Sequence, residues 1–177
     1  MPTPEQKLLT LQDGTSIPVE FLGNAALLEH RKVAFLCSTR CAPDRILPAH
    51  DKARALRDAS VTVASAFQTP IEQDARDILL RGTAPLIWCR PRGIATLKLQ
   101  PPWRVPFEEG RVLILTFSPG APPRATRDQS LHNTSCLLNF AEENYIAHAS
   151  PGGSLEKAII RLQKSPPSST PSASARF

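Results

Sequence analysis

No stretch of this chain approaches the ~18 consecutive apolar residues that span a bilayer, which excludes a helical integral membrane protein. The N-terminus, Met1-Pro2-Thr3-Pro4-Glu5, lacks a basic region followed by an apolar one. No secretory signal is therefore expected, and the cytoplasm is the predicted location. There is no CxxC pair: three residues separate Cys37 from Cys41, and Cys89 and Cys136 stand alone. Neither a zinc knuckle nor a disulfide framework is predicted, and the cysteines read as small buried hydrophobes. The absence of GxGxxG removes an ordinary dinucleotide site. No Ser/His/Asp or Cys/His set stands at a recognised spacing, so no catalytic residue, metal or cofactor is assigned. No internal repeat is visible.

What is present is a chain of 177 residues, the length of one domain, with 41% hydrophobic residues to build a core. Its 18 prolines point to many loops. They are dense in the segment Ser165 to Phe177, which has one large apolar residue and is expected to be disordered. The formal net charge of +5 is unevenly placed. Between Arg81 and Arg127 eight basic residues face only Glu108 and Glu109, which leaves +6 there and −1 elsewhere. Such a concentration suits phosphate or nucleic acid, and equally a solvated loop surface.

Strand and helix signals alternate. Val33 to Cys37 is a continuous apolar run, as a strand covered on both faces requires. A loop with Pro43 and Pro48 follows, then a helix from Ala49 to Ala59. Val61 to Ser65 is a second strand. Pro70 opens a helix that buries Ile71, Ala75, Ile78 and Leu79 and stops at Gly82. Pro85 to Cys89 and Arg111 to Thr116 are further strands. A helix spans Thr126 to Glu142, with Leu131, Leu138 and Phe140 available for burial. Tyr145 to His148 is a fifth strand, and a helix runs from Leu155 to about Leu162. Strands separated by helices predict an α/β fold: a Rossmann-like open, mostly parallel sheet with helices on both faces. The expected organisation is a lead-in segment over residues 1–31 packed on the core, a domain over 32–164, and the tail.

In such a sheet the ligand crevice lies beyond the carboxyl ends of the strands. That places Ser38, Thr39 and Arg40 after the first strand, Ser65 and Gln68 after the second, and Arg90 and Arg92 after the third. Gly152, Gly153 and Ser154 follow the fifth and open the last helix. Hydroxyls, guanidinium forks and a helix N-terminus suit a phosphate, and the arginines are expected to converge on one anion-receptive pocket. Gly152 and Gly153 also permit close backbone approach, and Ser154 suits an N-cap. Trp88 reads as core. Trp103, between Pro102 and Arg104, is the better candidate to stack on a base.

Several of these segments resemble the DprA/Smf family of DNA-processing proteins. That family belongs to a Rossmann-like group that also holds the cytokinin-activating "lonely guy" enzymes. Phe21-Leu22-Gly23-Asn24-Ala25-Ala26-Leu27-Leu28 is similar to the family's lead-in. Val33 to Arg40 is similar to its first strand and "GSR" loop, and Ser65-Ala66-Phe67 to its "SGL". His132-Asn133 falls at an "RN" pair, and His148 to Leu155 resembles the "SGS" segment. Short single-domain relatives are similar over Phe35 to Pro43, Ser65 to Glu72 and Leu79 to Arg92. Cys37 and Ala66 stand where the family has glycine, His132 where it has arginine, and Gln68 where the short relatives have histidine.

The resemblance implies a non-catalytic domain that binds a nucleotide or single-stranded DNA in DNA processing or uptake. It implies homodimerisation and RecA contact as well. Ser38, Arg40, Ser65, Asn133, Gly152, Gly153 and Ser154 are the residues carried over. Two other readings stay open. One is a nucleotide phosphoribohydrolase with Glu156 as its acid, because Pro151 to Glu156 looks similar to the "PGGxGTxxE" signature of the other branch. The second is an interaction module without a ligand.

Overall fold

The computed structural model describes residues 3–164; the segment Ser165 to Phe177 lies outside them. Seven strands form one sheet in the order β1-β2-β6-β5-β4-β3-β7. They are β1 (Glu5–Thr10), β2 (Ser16–Gly23), β3 (Lys32–Cys37), β4 (Thr62–Ser65), β5 (Leu86–Cys89), β6 (Val112–Thr116) and β7 (Glu143–His148). The last five run parallel to one another, and β1 and β2 form an antiparallel hairpin that continues the sheet from β6. The architecture is therefore the expected α/β Rossmann-like one, with two strands more than the apolar runs alone identify.

Among the described residues five α-helices and a short 3-10 turn (Ala25–Glu29) complete it: α1 (Pro43–Asp58), α2 (Pro70–Leu80), α3 (Pro101–Glu108), α4 (Arg127–Phe140) and α5 (Ser154–Lys164). Alternate residues of each strand enter opposite cores. Val33, Phe35, Val63, Leu86 and Ile114 pack with Ala53 of α1, Leu79 of α2 and Trp103 of α3. Ala34, Leu36, Ile87, Leu113 and Leu115 pack with Leu137 of α4 and Ala158 of α5. Among the described residues no helix is long and apolar enough to cross a membrane.

Two helices differ from the sequence reading, and proline is the reason in both. α1 begins at Pro43, six residues before Ala49, and contains Pro48. Pro43 sits where an N–H has no intrahelical partner. Pro48 removes only the bond to the Asp44 carbonyl, in an exposed first stretch where water replaces it. α3 lies between two predicted strands, where the sequence assigns no element, with Pro101 in its first turn and Pro106 inside. Its amphipathic face is enough to hold it, because Trp103 and Pro106 are both buried.

The chain order fixes where a ligand crevice opens. From β3 the connections step outward through β4, β5 and β6, and α4 then returns the chain across the sheet to β7, on the other side of β3. The connectivity reverses between β3 and β7, and such a switch point leaves a gap between the two loops that leave those strands.

Candidate functional site

At that gap lies a crevice of about 470 Å3 lined by Ser38, Thr39, Arg40, Gln68, Asn133 and Ser154, among others. Its walls are held together by backbone groups and two serine hydroxyls. The Ser38 N–H donates to the His148 carbonyl at 2.8 Å. The Ser150 N–H donates to the Ser38 hydroxyl oxygen at 2.9 Å, and the Ser150 hydroxyl donates to the Arg40 carbonyl at 3.1 Å. Ser38 thus acts as an acceptor toward the β7 loop while its own hydrogen remains a donor. The first turn of α5 contributes Ser154 and Leu155 to the crevice wall, and first-turn N–H groups carry the positive end of the helix dipole.

The glycines shape this turn. Gly152 has φ +70°, a conformation that side chains rarely adopt, and its N–H donates to a Glu156 carboxylate oxygen at 2.6 Å. Gly153 lines the crevice, and a Cβ on it would meet the Ser150 carbonyl oxygen at 2.9 Å. Glu156 is thereby engaged with its own helix start, and neither it nor Gly152 is among the residues lining the crevice. Ser65 is fully buried behind the wall, where its hydroxyl oxygen accepts from the Phe67 N–H at 3.1 Å and supports the positive φ of Phe67.

Arg90 and Arg92 do not open into this crevice. They line an adjoining cavity of about 660 Å3, together with Arg76, Trp88 and Gln100. Ala66 and Gln68, from the loop after β4, wall both cavities. The single pocket expected from the strand tips is therefore two neighbouring ones, because the β4 loop stands between the β3 and β5 loops. Arg92 is exposed, and Arg76 is paired with Asp77 at 2.7 Å. Arg90 is only 6% exposed. Its guanidinium carbon lies 4.9 Å from the centroid of the Trp88 ring, a cation–π distance. Its Nε and Nη1 are buried without a hydrogen-bond partner. Burial, with the Arg92 charge adding to it, lowers the guanidinium pKa to about 10.

Trp103 is not free to receive a base. α3 buries it to 2% exposure, its ring stacks on Trp88 at 4.7 Å with the planes 5° apart, and Phe67 packs at 5.6 Å. Trp88, expected in the core, is half-buried and donates its indole N–H to the Ala66 carbonyl at 3.1 Å.

Asn133 reaches the crevice from α4. It is 2% exposed, its Nδ2 donates to the Cys89 carbonyl at 3.2 Å, and its Oδ1 is buried without a partner. Glu72 was not singled out by the sequence reading, yet it lines the same crevice. Its carboxylate accepts N–H bonds from Cys37 at 3.1 Å, Gln68 at 2.9 Å and Thr69 at 3.3 Å. Burial pushes this carboxyl's pKa up, and those bonds oppose the shift. The signal for Glu72 is in the sequence: Thr69 and Glu72 have capping-box spacing, and both halves of that box are formed. The Cys37 N–H is thus bound by Glu72, and the residue standing where the family has glycine offers no free donor there.

All four cysteines are free. Burial pushes the Cys37 and Cys136 thiols up to about 12, and the Cys89 thiol up as well. None of these three is a thiolate at neutral pH. Among the described residues no group of three or more His, Cys, Asp or Glu side chains is placed to hold a metal ion.

The fold and its switch-point crevice define a Rossmann-like domain with hydroxyl, guanidinium and backbone N–H groups at the carboxyl ends of its parallel strands. No protein-family model matches the chain, and no curated protein sequence does. Solved structures do match. DNA processing protein A from Helicobacter pylori, which has a unique single-stranded DNA binding mode, superposes with a TM-score of 0.70 at 16% identity. The match covers 91% of this chain and 77% of that one. DNA processing protein A (DprA) from Streptococcus pneumoniae matches with a TM-score of 0.67 at 17% identity, over 84% of this chain. The match spans only 52% of the pneumococcal protein. The resemblance to DprA-like DNA-processing proteins therefore holds at the level of the fold.

Proposed function

We propose that this domain binds single-stranded nucleic acid, without catalysis, along the carboxyl ends of its parallel strands. A single nucleotide is the smaller ligand that the same groups would hold. The observation that carries this reading is the pair of adjoining cavities. One offers Arg40, the Ser38 hydroxyl and the α5 N-terminus, and the next offers Arg90 and Arg92, with the wall of Ala66 and Gln68 between them. A chain of phosphates is a ligand that presents anions to both at once. The single-stranded DNA binding mode of the Helicobacter pylori protein, whose fold this chain shares, supports the same choice of ligand. The reading extends to a role in DNA processing or uptake, which that likeness supports.

The test is fluorescence anisotropy of a labelled mixed-sequence single strand across a salt series. Affinity should fall linearly on a log–log plot, with a slope of about −0.7 for each phosphate neutralised. Arg40→Ala should weaken binding and make the slope shallower by about 0.7. Absent binding, or binding indifferent to salt, would remove the reading.

A further inference from the structure

The crevice has a polarity that phosphate binding alone does not use. Its rim is donor-rich: the Arg40 guanidinium, the Ser38 hydroxyl and the first-turn N–H groups of α5. Its buried lining is acceptor-rich. Asn133 and Glu72 both line it, at 2% and 3% exposure. Both Glu72 carboxyl oxygens act as acceptors, one toward the Cys37 N–H and the other toward those of Gln68 and Thr69. Asn133 is also an acceptor, and its orientation is fixed. Nδ2 donates to the Cys89 carbonyl, and flipping the amide would set two oxygens against each other. Oδ1 is the atom left over, buried and without a donor. Buried polar atoms are rarely orphaned in a folded protein, and an orphan in a cavity wall marks a partner that arrives with the ligand.

A phosphate pushed to the floor would meet a carboxylate and an amide oxygen. At the rim it meets cations and N–H groups. The ligand is therefore oriented, with its anion outward and a hydrogen-bond donor inward. In a DNA strand, which has no 2′-hydroxyl, the internal N–H and O–H donors are all on the bases. An exocyclic amino group offers two N–H bonds. Thymine offers one, flanked by carbonyl oxygens that would face the acceptors.

We propose that the crevice floor reads the base: Asn133 Oδ1 accepts a hydrogen bond from the exocyclic amino group of a nucleobase whose phosphate lies against Arg40 and the α5 N-terminus. This rests on the strand-binding reading above and adds to it a preference for amino-bearing bases.

The experiment compares, on the full chain, two single strands of equal length at one salt concentration. One carries deoxyadenosine, and the other carries deoxynebularine, which is the same purine without its amino group. Charge and stacking surface are matched, so the difference isolates the amino group. The deoxyadenosine strand should bind about three- to tenfold more tightly, the value of one hydrogen bond. Asn133→Leu should bring the two affinities together, with circular dichroism confirming its fold. If that variant does not fold, the comparison on the native chain decides alone. Equal affinities on the native chain, with salt-sensitive binding retained, would overturn base reading and leave strand binding intact. Failure of both strands to bind would overturn strand binding, and base reading with it.

Discussion

Ser38 and Ser150 are 112 positions apart in sequence, yet the Ser150 N–H donates to the Ser38 hydroxyl oxygen at 2.9 Å. This bond ties the loops of β3 and β7 together in the crevice wall. Ser38→Ala would leave the Ser150 N–H to half-exposed surroundings, so a loss of about 1 kcal/mol is expected in urea unfolding, with an unchanged slope. The same variant should weaken strand binding more than that figure suggests, because the Ser38 hydrogen is also lost to the ligand. Anisotropy at fixed salt checks this second half.

Arg90 should show stability and binding moving in opposite directions. A buried guanidinium with two unpartnered N–H groups is a net penalty on the empty fold. Arg90→Met keeps the packing against Trp88 and removes the charge. The expected outcome is a rise in stability of ~1 kcal/mol or more and a clear loss of strand affinity. A variant that is both less stable and unaltered in binding would refute the assignment. The lowered pKa carries a sign as well: the native fold should gain stability as pH rises through about 10, and the Met variant should not.

Glu72 poses a choice between two effects. Its raised pKa means the folded state resists ionising it, so its stabilising contribution is largest at low pH. That contribution should fall as pH rises from the ordinary value of 4.5 toward the elevated one. Glu72→Gln removes the charge penalty but turns an amide NH2 toward backbone N–H donors. The clash wins, because both carboxylate oxygens already accept: one from Cys37, the other from Gln68 and Thr69. A net loss of roughly 1–3 kcal/mol at neutral pH is expected, larger at pH 5 than at pH 7, from urea midpoints over that range.

Trp103→Ala should be the most damaging single change near the cavities. It empties the stack on Trp88 and the contact with Phe67, and a fully buried aromatic truncated to alanine typically costs ~3–5 kcal/mol. Thermal unfolding would show this directly. A mild effect would mean the indole is exposed and open to a base after all.

Thiol reactivity gives an inexpensive check of the packing. Cys37, Cys89 and Cys136 are buried and Cys41 is only half-buried. Titration with an aromatic disulfide at mild alkaline pH should find one fast thiol, Cys41, and three more after denaturation.

How far the sequence could be read divides along physical lines. Four of the parallel strands were legible because both faces of each are covered: β3, β5 and β6 hold apolar runs, and β4 a β-branched one. β1 was not, since Gln6, Lys7 and Leu8 are exposed on both faces of an edge strand, and β2 was not, since Glu20 interrupts the apolar residues Val19, Phe21 and Leu22. α3 was hidden by Pro101, Pro102 and Pro106: the first two are tolerated in a first turn, and burial of Trp103 and Pro106 offsets the hydrogen bond that Pro106 removes. At the site, strand-end position was enough to select Ser38, Arg40, Arg90 and Gly153. It could not separate the two cavities, because nothing local to Ala66 and Gln68 says that their loop stands between neighbours. Nor could it foresee that Trp88 draws Arg90 under cover, since that depends on an indole, a guanidinium and α3 meeting in space.

The reversal of connectivity between β3 and β7 carries a consequence for biosynthesis. β3 and its loop emerge early from the ribosome, whereas β7 and α5 emerge after every other strand described here. Until they dock, the Ser38 loop has no opposing wall, and a nascent chain holds arginines without a clamp. On the strand-binding reading proposed above, the Arg40 crevice would bind only once translation has passed β7 and α5, and a ribosome-bound intermediate surrounded by RNA would be spared premature capture there.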